Sequence, residues 1–225
     1  MAHPHWPLFD LRISTPRLQL RPDWDDGIAE LAPVAAQGIH DPATMPFSVP
    51  WTDQAPGGPL EQRMYQYYWG QRAQWTPQSW NCTFLVSHGG RLVGAQAMFA
   101  KDFAKTRVVE TGSWLGRASQ GKGIGTEMRA AVLHLAFAGL SAQHARSGAW
   151  HDNAPSLRVS RRLGYVDNGE EIRLRRDDAD RMQLLVLSRE AWAAHRFGAE
   201  IEVSGLGACL SLFGLAPGGS ASSAS

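Results

Sequence analysis

Polar and apolar positions along the chain change period several times, and these changes lay out the elements. Residues 17 to 21, RLQLR, alternate behind Thr15-Pro16 and predict a short strand. Asp23 is placed to cap a helix reaching about Ala36, with Ile28, Leu31, Val34 and Ala35 at helical spacing. From Gly38 to Gly58 the chain is broken by Pro42, Pro46, Pro50 and Pro56. Connections this long are uncommon in compact domains and often functional. Residues 60 to 75, rich in Tyr and Trp, predict a second helix with Gly70 as its weak point.

The period then falls to two. Cys82 to Val86, Leu92 to Phe99 and Val108 to Leu115 predict strands, with Gly89-Gly90 as a hairpin turn between the first two. After a loop over 116 to 123, residues 124 to 138 form the clearest helix. Ile124, Met128, Ala131, Val132, Leu135 and Ala136 share one face of it. A strand follows near 143 to 150. Asn153-Ala154-Pro155 then opens a helix running to about Leu163, and Gly164 closes it. Two further strands fall near 165 to 175 and 182 to 188. Hairpins around one crossover helix predict an α/β (α+β) fold, a mixed, mostly antiparallel sheet of about seven strands flanked by helices. Residues 1 to 190 are read as one domain. Residues 191 to 215 are an extension packing on it or on a dimer partner, and 216 to 225, APGGSASSAS, a flexible tail.

Composition narrows the function classes. The 225 residues are 44% apolar and 19% charged, enough for a real core. Lys plus Arg is 22 against 21 for Asp plus Glu, a net charge of +1. Nucleic acid is therefore not expected as a partner, because phosphate contacts need a basic excess. The opening MAHPHWPLFDLRI has no basic region leading into an apolar run, and no stretch approaches a membrane span. The expectation is a cytoplasmic protein without a membrane partner. Cys82 and Cys209 have no ligand spacing and the histidines no pairing, so they are read as buried thiols and no metal is expected. Six of the nine Trp precede residue 81. They are read as marking the half of the chain that chooses a substrate.

The sharpest local feature is GRASQGKGIGT, residues 116 to 126, between a strand and the strongest helix. Closely spaced glycines let the backbone approach a ligand, and a helix N-terminus offers free N–H groups to an anion. A nucleotide P-loop fits up to Lys122 but lacks the hydroxyl residue at Gly123, which counts against a P-loop hydrolase. A dinucleotide fingerprint started at Gly121 ends on Thr126 and fails. The pattern Q/R-x-x-G-x-G/A is met in full by Gln120-Gly121-Lys122-Gly123-Ile124-Gly125.

That last pattern resembles the pyrophosphate loop of the GNAT superfamily of N-acyltransferases. A second stretch adds to it. Asn153-Ala154-Pro155-Ser156 with Ser160 to Tyr165 resembles the family's N-x-x-S segment ending in Gly and an aromatic, here Gly164 and Tyr165. The likeness is closest to the branch containing ribosomal-protein alanine acetyltransferases, whose first strand TPRLQLRP resembles. HWPLFDLRISTPRLQL and HDPATMPFSVPW are similar to an actinobacterial (mycobacterial) group that includes a GNAT succinyltransferase. The resemblance implies an acyl-CoA co-substrate, acetyl-CoA or succinyl-CoA, transferred to a primary amine by direct attack on the thioester. The amine belongs to a small molecule or a protein. A homodimer is also expected, with Ile201 to Leu215 as candidate contact. A GNAT-fold module that binds acyl-CoA as a sensor or scaffold, without turnover, is the alternative.

The reaction needs a proton acceptor, donors for the oxyanion, and a proton for the leaving thiolate. Glu110, on the strand feeding the loop, is the first candidate base; His151 is the second. By resemblance, Ser156 serves the thiolate, and Ser113, Trp114 and Leu115 hold the cofactor and supply a backbone donor. Gln120, Gly121, Lys122, Gly123, Ile124, Gly125 and Thr126 form the phosphate cradle, and Asn153 bonds the pantetheine. Arg161 is the candidate phosphate contact, within a group of Arg117, Lys122, Arg158 and Arg162. Tyr165 is read as packing. His40, Phe47 and Trp51 on the Pro-rich connection are the candidate acceptor contacts.

Overall fold

The structure, a computed structural model, describes residues 3–195 and 200–216. Its centre is a nine-stranded sheet in the order β7-β8-β6-β5-β4-β3-β2-β1-β9. The strands are β1 (Arg12–Ser14), β2 (Leu18–Pro22), β3 (Ser79–His88), β4 (Arg91–Lys101), β5 (Val108–Leu115), β6 (His144–Trp150), β7 (Val166–Arg175), β8 (Asp178–Ser188) and β9 (Glu202–Ser204). The helices are α1 (Asp25–Ala36), α2 (Pro59–Ala73), α3 (Phe103–Thr106), α4 (Ile124–His134), α5 (Ala154–Arg162) and α6 (Arg189–Ala194). The mixed, mostly antiparallel α/β arrangement expected from the sequence is the one found. The count rises from about seven strands to nine because β1 and β9 are only three residues each, too short to carry a period.

Alternation along the strands supplies two apolar layers. Phe84 and Val86 face α4, packing with Met128, Val132 and Leu135, while Leu85 and Ala95 face α1 and α2, packing with Ile28, Leu31 and Met64. Helix α4 widens into a π turn over Leu135–Gly139, which carries the helical path through the predicted end at 138.

Three expectations change on the structure. Helix α1 starts at Asp25 with Trp24 as N-cap and no side-chain cap, so Asp23 is not the cap. Its backbone N–H bonds Thr83 O and continues the sheet, and its side chain is buried against Arg72. The apolar stretch Ile201–Leu215, expected to pack on the domain or on a dimer partner, packs on the domain. Strand β9 pairs with β1, and Cys209 and Phe213 are fully buried in the main core. Three of the six early tryptophans belong to the main core instead of the substrate side: Trp80 is buried and packs with Phe213, Trp75 packs half-buried against both, and Trp6 packs edge-on against Trp75. The tail expected at 216–225 lies, but for Ala216, outside the described residues.

One irregularity of the sheet positions the site. β5 and β6 are its parallel neighbours, and they pair over only Val108–Glu110 and His144–Arg146. Beyond those residues they diverge, β5 staying with β4 and β6 with β8. The gap opens on the side where β5 ends and α4 begins. This is the crevice outside the strand ends that α/β sheets offer to ligands.

Candidate active site

A cleft of about 1340 Å³ follows this gap. One end is walled by the turn from β5 to α4 and by α5, the other by the Pro-rich connection and the β7–β8 hairpin.

The phosphate end is shaped by backbone conformation. Gly121 and Gly123 have φ of +73° and +79°, where a residue with Cβ is strained, and Gly123 is the N-cap of α4. The first turn of α4 therefore presents N–H groups that have no acceptor within the helix, at its positive end. The side chain of Ile124 is buried, so only its backbone can meet a ligand. Gln120 turns its amide inward, where Nε2 donates to Ile39 O at 2.7 Å and Leu115 O at 2.8 Å. It ties the Pro-rich connection to the end of β5. Lys122 folds back on the loop, Nζ to Ala118 O at 2.6 Å, and does not line the cleft. Arg17 holds the loop from outside, with Nη1 to Lys122 O at 3.2 Å and Nε to Glu127 Oε2 at 2.7 Å.

Helix α5 forms the facing wall. Asn153 accepts from the Ser156 backbone N–H at 3.2 Å and so caps the helix. Ser156 lines the cleft, and among the described residues its hydroxyl makes no hydrogen bond. Arg158 and Arg162, one helical turn apart, line the cleft beside Arg117. Arg161 does not: it is turned outward to Asp167 at 3.2 Å. The cations facing the phosphate end are therefore Arg117, Arg158 and Arg162.

Glu110 stands in the cleft wall at the last position of β5 that pairs with β6, between Phe99 of β4 and Arg146 of β6. It makes no ion pair among the described residues. Thr111, Ser113, Trp114 and Leu115 continue that wall. His151 is committed elsewhere, Nε2 to Glu170 Oε1 at 3.0 Å, outside the cleft. Tyr165 is buried, its phenol 3.4 Å from Thr111 Oγ1, and burial raises its pKa.

The Pro-rich connection contributes a row of rings. His40 and Phe47 line the cleft. Trp51 sits behind them, 5.4 Å from Phe47 and 5.6 Å from Trp114 between ring centres, as a support rather than a wall. The hairpin clasps this connection. Arg175 Nε donates to Met45 O at 2.7 Å, and Arg176 meets both Asp53 oxygens at 2.8 Å. The clasp was not legible in the sequence, because its halves lie over 120 residues apart.

The structure adds one residue that sequence reasoning missed. Arg129, on α4, reaches into the gap between β5 and β6 and is 4% exposed. Nη2 donates to Ser113 Oγ at 3.1 Å; Nη1 donates to Ser160 Oγ at 2.8 Å and sits 3.5 Å from Ser147 Oγ. A charged residue among the apolar positions of α4 was the available signal. Among the described residues no helix is long and apolar enough to cross a membrane, and no three His, Cys, Asp or Glu are grouped to hold a metal.

Comparison with known proteins places this cleft in a family context. A family model described as an acetyltransferase (GNAT) domain matches residues 17–166. A GCN5-related N-acetyltransferase from Brucella melitensis superposes with a TM-score of 0.65 at 18% identity, covering 81% of this chain and 80% of that one. RimJ of Mycobacterium smegmatis, solved with CoA-disulfide, has a TM-score of 0.62 at 17% identity, covering 85% and 96%. RimL, a ribosomal alpha-N-protein acetyltransferase solved with coenzyme A, has a TM-score of 0.62 at 17% identity, covering 78% and 96%. At these identities the likeness is one of fold.

Proposed function

The chain belongs to the GNAT acetyltransferase family, and from that premise we propose that it transfers an acetyl or succinyl group from acyl-CoA to a primary amine. One observation carries the reading. The glycine turn at the N-terminus of α4, the unbonded Ser156 hydroxyl and the carboxylate of Glu110 all line one cleft at the point where β5 and β6 part. An extended polyanionic ligand with a reactive end needs that combination.

In this reading the pyrophosphate rests on the backbone N–H groups of Gly121, Gly123, Gly125 and Thr126, and Arg117, Arg158 and Arg162 neutralise the phosphates. Arg161 and Lys122 take no direct part. Ile124 contributes its backbone, and Gln120 shapes the loop. The pantetheine lies along Ser113, Trp114 and Leu115, whose strand has lost its β6 neighbour there. Asn153 serves by capping α5 and so aiming Ser156.

The chemistry follows from the positions. Glu110 removes a proton from the ammonium, directly or through water, and frees the lone pair that attacks the thioester carbonyl. A backbone N–H of β5 meets the oxyanion. As the C–S bond breaks, the Ser156 hydroxyl gives the leaving sulfur a hydrogen bond, and the proton shed by the attacking nitrogen ends on the thiolate. The acceptor enters from the Pro-rich side, past His40 and Phe47, with Trp51 holding Phe47 in place. Ribosomal-protein acetyltransferases among the similar folds make a protein N-terminus one candidate acceptor. Calorimetric titration with acetyl-CoA and succinyl-CoA tests the reading: saturable binding of at least one supports it. Binding of neither at millimolar concentration contradicts it.

A further inference from the structure

Five register partners form one row across the sheet: Phe99 on β4, Glu110 on β5, Arg146 on β6, Val186 on β8 and Val166 on β7. Register partners point to the same face. Alternation along β5 puts Trp114 on that face too, and Trp114 packs with the apolar cluster of α1 and α2. Phe47 and Trp51 of the Pro-rich connection pack against the same cluster. The row therefore lies on the acceptor side of the sheet.

Two opposite charges stand next to each other in this row. Neighbouring strands are about 4.8 Å apart, so Glu110 and Arg146 are side by side. They do not close on each other. Arg146 is exposed, and among the described residues its guanidinium makes no hydrogen bond and no ion pair. Other cations on this side are already matched: Arg173 is bonded to Glu171, Arg175 to Asp152 and Asp180, and Arg176 to Asp53.

Beyond Arg146 the floor drops into a second hollow of about 360 Å³. Arg146 and Asn168 line both this hollow and the main cleft, so they stand on the border between the two. His144, Ser188, Val166 and Val186 line the hollow further in, and no carboxylate lines it among the described residues. A concave site with a guanidinium, a side-chain amide and no acidic group suits an anion.

We infer that the acceptor is an amine bearing a carboxylate a few atoms from its nitrogen, and that Arg146 is the residue that selects it. This rests on the acyl-transfer reading of the cleft. The ammonium meets Glu110, which takes its proton. The carboxylate reaches across one strand spacing to Arg146, with the Asn168 amide beside it. A guanidinium offers a carboxylate two parallel N–H donors, and a simple alkylamine leaves them unused. The carboxylate has two possible sources: an amino acid's own, or an acidic side chain next to a polypeptide N-terminus.

The test compares acceptors that differ in one charge. Thiol release, with mass spectrometry of the product, gives kcat/KM at saturating acyl-CoA for two pairs. The first is L-alanine against L-alaninamide; the second is the C-terminally amidated peptides Ala-Glu-Ala and Ala-Gln-Ala. Alaninamide has the less basic amine and is the more available nucleophile, which works against the expected result. The expected result is the carboxylate member of at least one pair favoured by about tenfold or more, the scale of one charge-assisted hydrogen bond. A preference in the first pair identifies a free amino acid, and one confined to the second an acidic polypeptide N-terminus. In Arg146→Met the preference should fall to about one, with Arg146→Lys between. Equal rates within both wild-type pairs would overturn the inference, and so would a preference that persists in Arg146→Met. Saturable acyl-CoA binding by calorimetry shows that the variants fold, and the wild-type comparison stands alone if they do not. No acylation of these four, beside turnover of an uncharged amine, also overturns it. Background thiol release with every amine, charged or neutral, sinks the acyl-transfer reading itself.

Discussion

The side-chain amide of Gln120 donates to the Leu115 carbonyl at 2.8 Å and to the Ile39 carbonyl at 2.7 Å with the same nitrogen. One residue of the phosphate turn therefore fixes both the end of β5 and the start of the acceptor-side connection. Gln120→Ala removes both bonds and leaves two carbonyls short of a donor, at a cost of about 1–2 kcal/mol. The variant should raise KM for the acyl donor and for the amine together. Steady-state kinetics with each substrate varied in turn checks this; a change confined to one KM would separate the two halves of the cleft.

Gly123 sits at φ +79° as the N-cap of α4, with its Cβ direction 3.5 Å from Arg17 Nη2. A β-branched side chain is strained at that φ by about 1–2 kcal/mol and reshapes the turn. Gly123→Val should weaken CoA binding by about tenfold or more. Calorimetry reads this directly, and unchanged affinity would move the phosphate site elsewhere.

Glu110 is the proposed proton acceptor. Glu110→Gln keeps the shape and removes the basicity, so turnover should drop by about 10²- to 10⁴-fold while CoA affinity stays close to wild type. Wild-type turnover in Glu110→Gln would place the base on another group.

Asp23 gives a stability signature away from the site. It is buried, and burial outweighs the attraction of Arg72 and holds its pKa up at about 6. Arg72 Nε lies 3.1 Å from its Oδ2 but off the hydrogen-bond direction. Between about pH 4 and 6 the native carboxyl keeps a proton that the unfolded chain has lost. This group's contribution to stability is therefore largest below about pH 4 and falls as pH rises through 6. Denaturant unfolding from pH 4 to 7 should show wild type losing up to about 3 kcal/mol against Asp23→Asn over that window. A constant difference would mean the carboxyl titrates normally.

The parts of the fold legible in the sequence are those governed by local rules. Apolar runs marked β3 and β4, which are buried on both faces, alternation marked β5 and β6, and Gly89-Gly90 marked the first hairpin. The turn at Gly121 and Gly123 was legible because its backbone conformation demands glycine. What escaped depends on distant partners. Asp23 has the right type and place for a cap, but its N–H belongs to the sheet through Thr83. Arg158, Arg161 and Arg162 look alike in sequence, yet Asp167 draws Arg161 away from the cleft. Trp80 and Trp75 count toward the aromatic skew of the first half, but Phe213 from the far end of the chain makes them core. Arg129 drew no notice because its serines lie on three separate elements.

The central claim is acyl transfer from CoA to an amine within this cleft. The most direct measurement is thiol release from acetyl-CoA and succinyl-CoA by the wild-type protein across a panel of small amines and peptides, with mass spectrometry of each acceptor. The account predicts free thiol above background, in step with an acylated amine, for at least one pairing. Thiol release at background with every amine, alongside saturable binding of acyl-CoA, would contradict it.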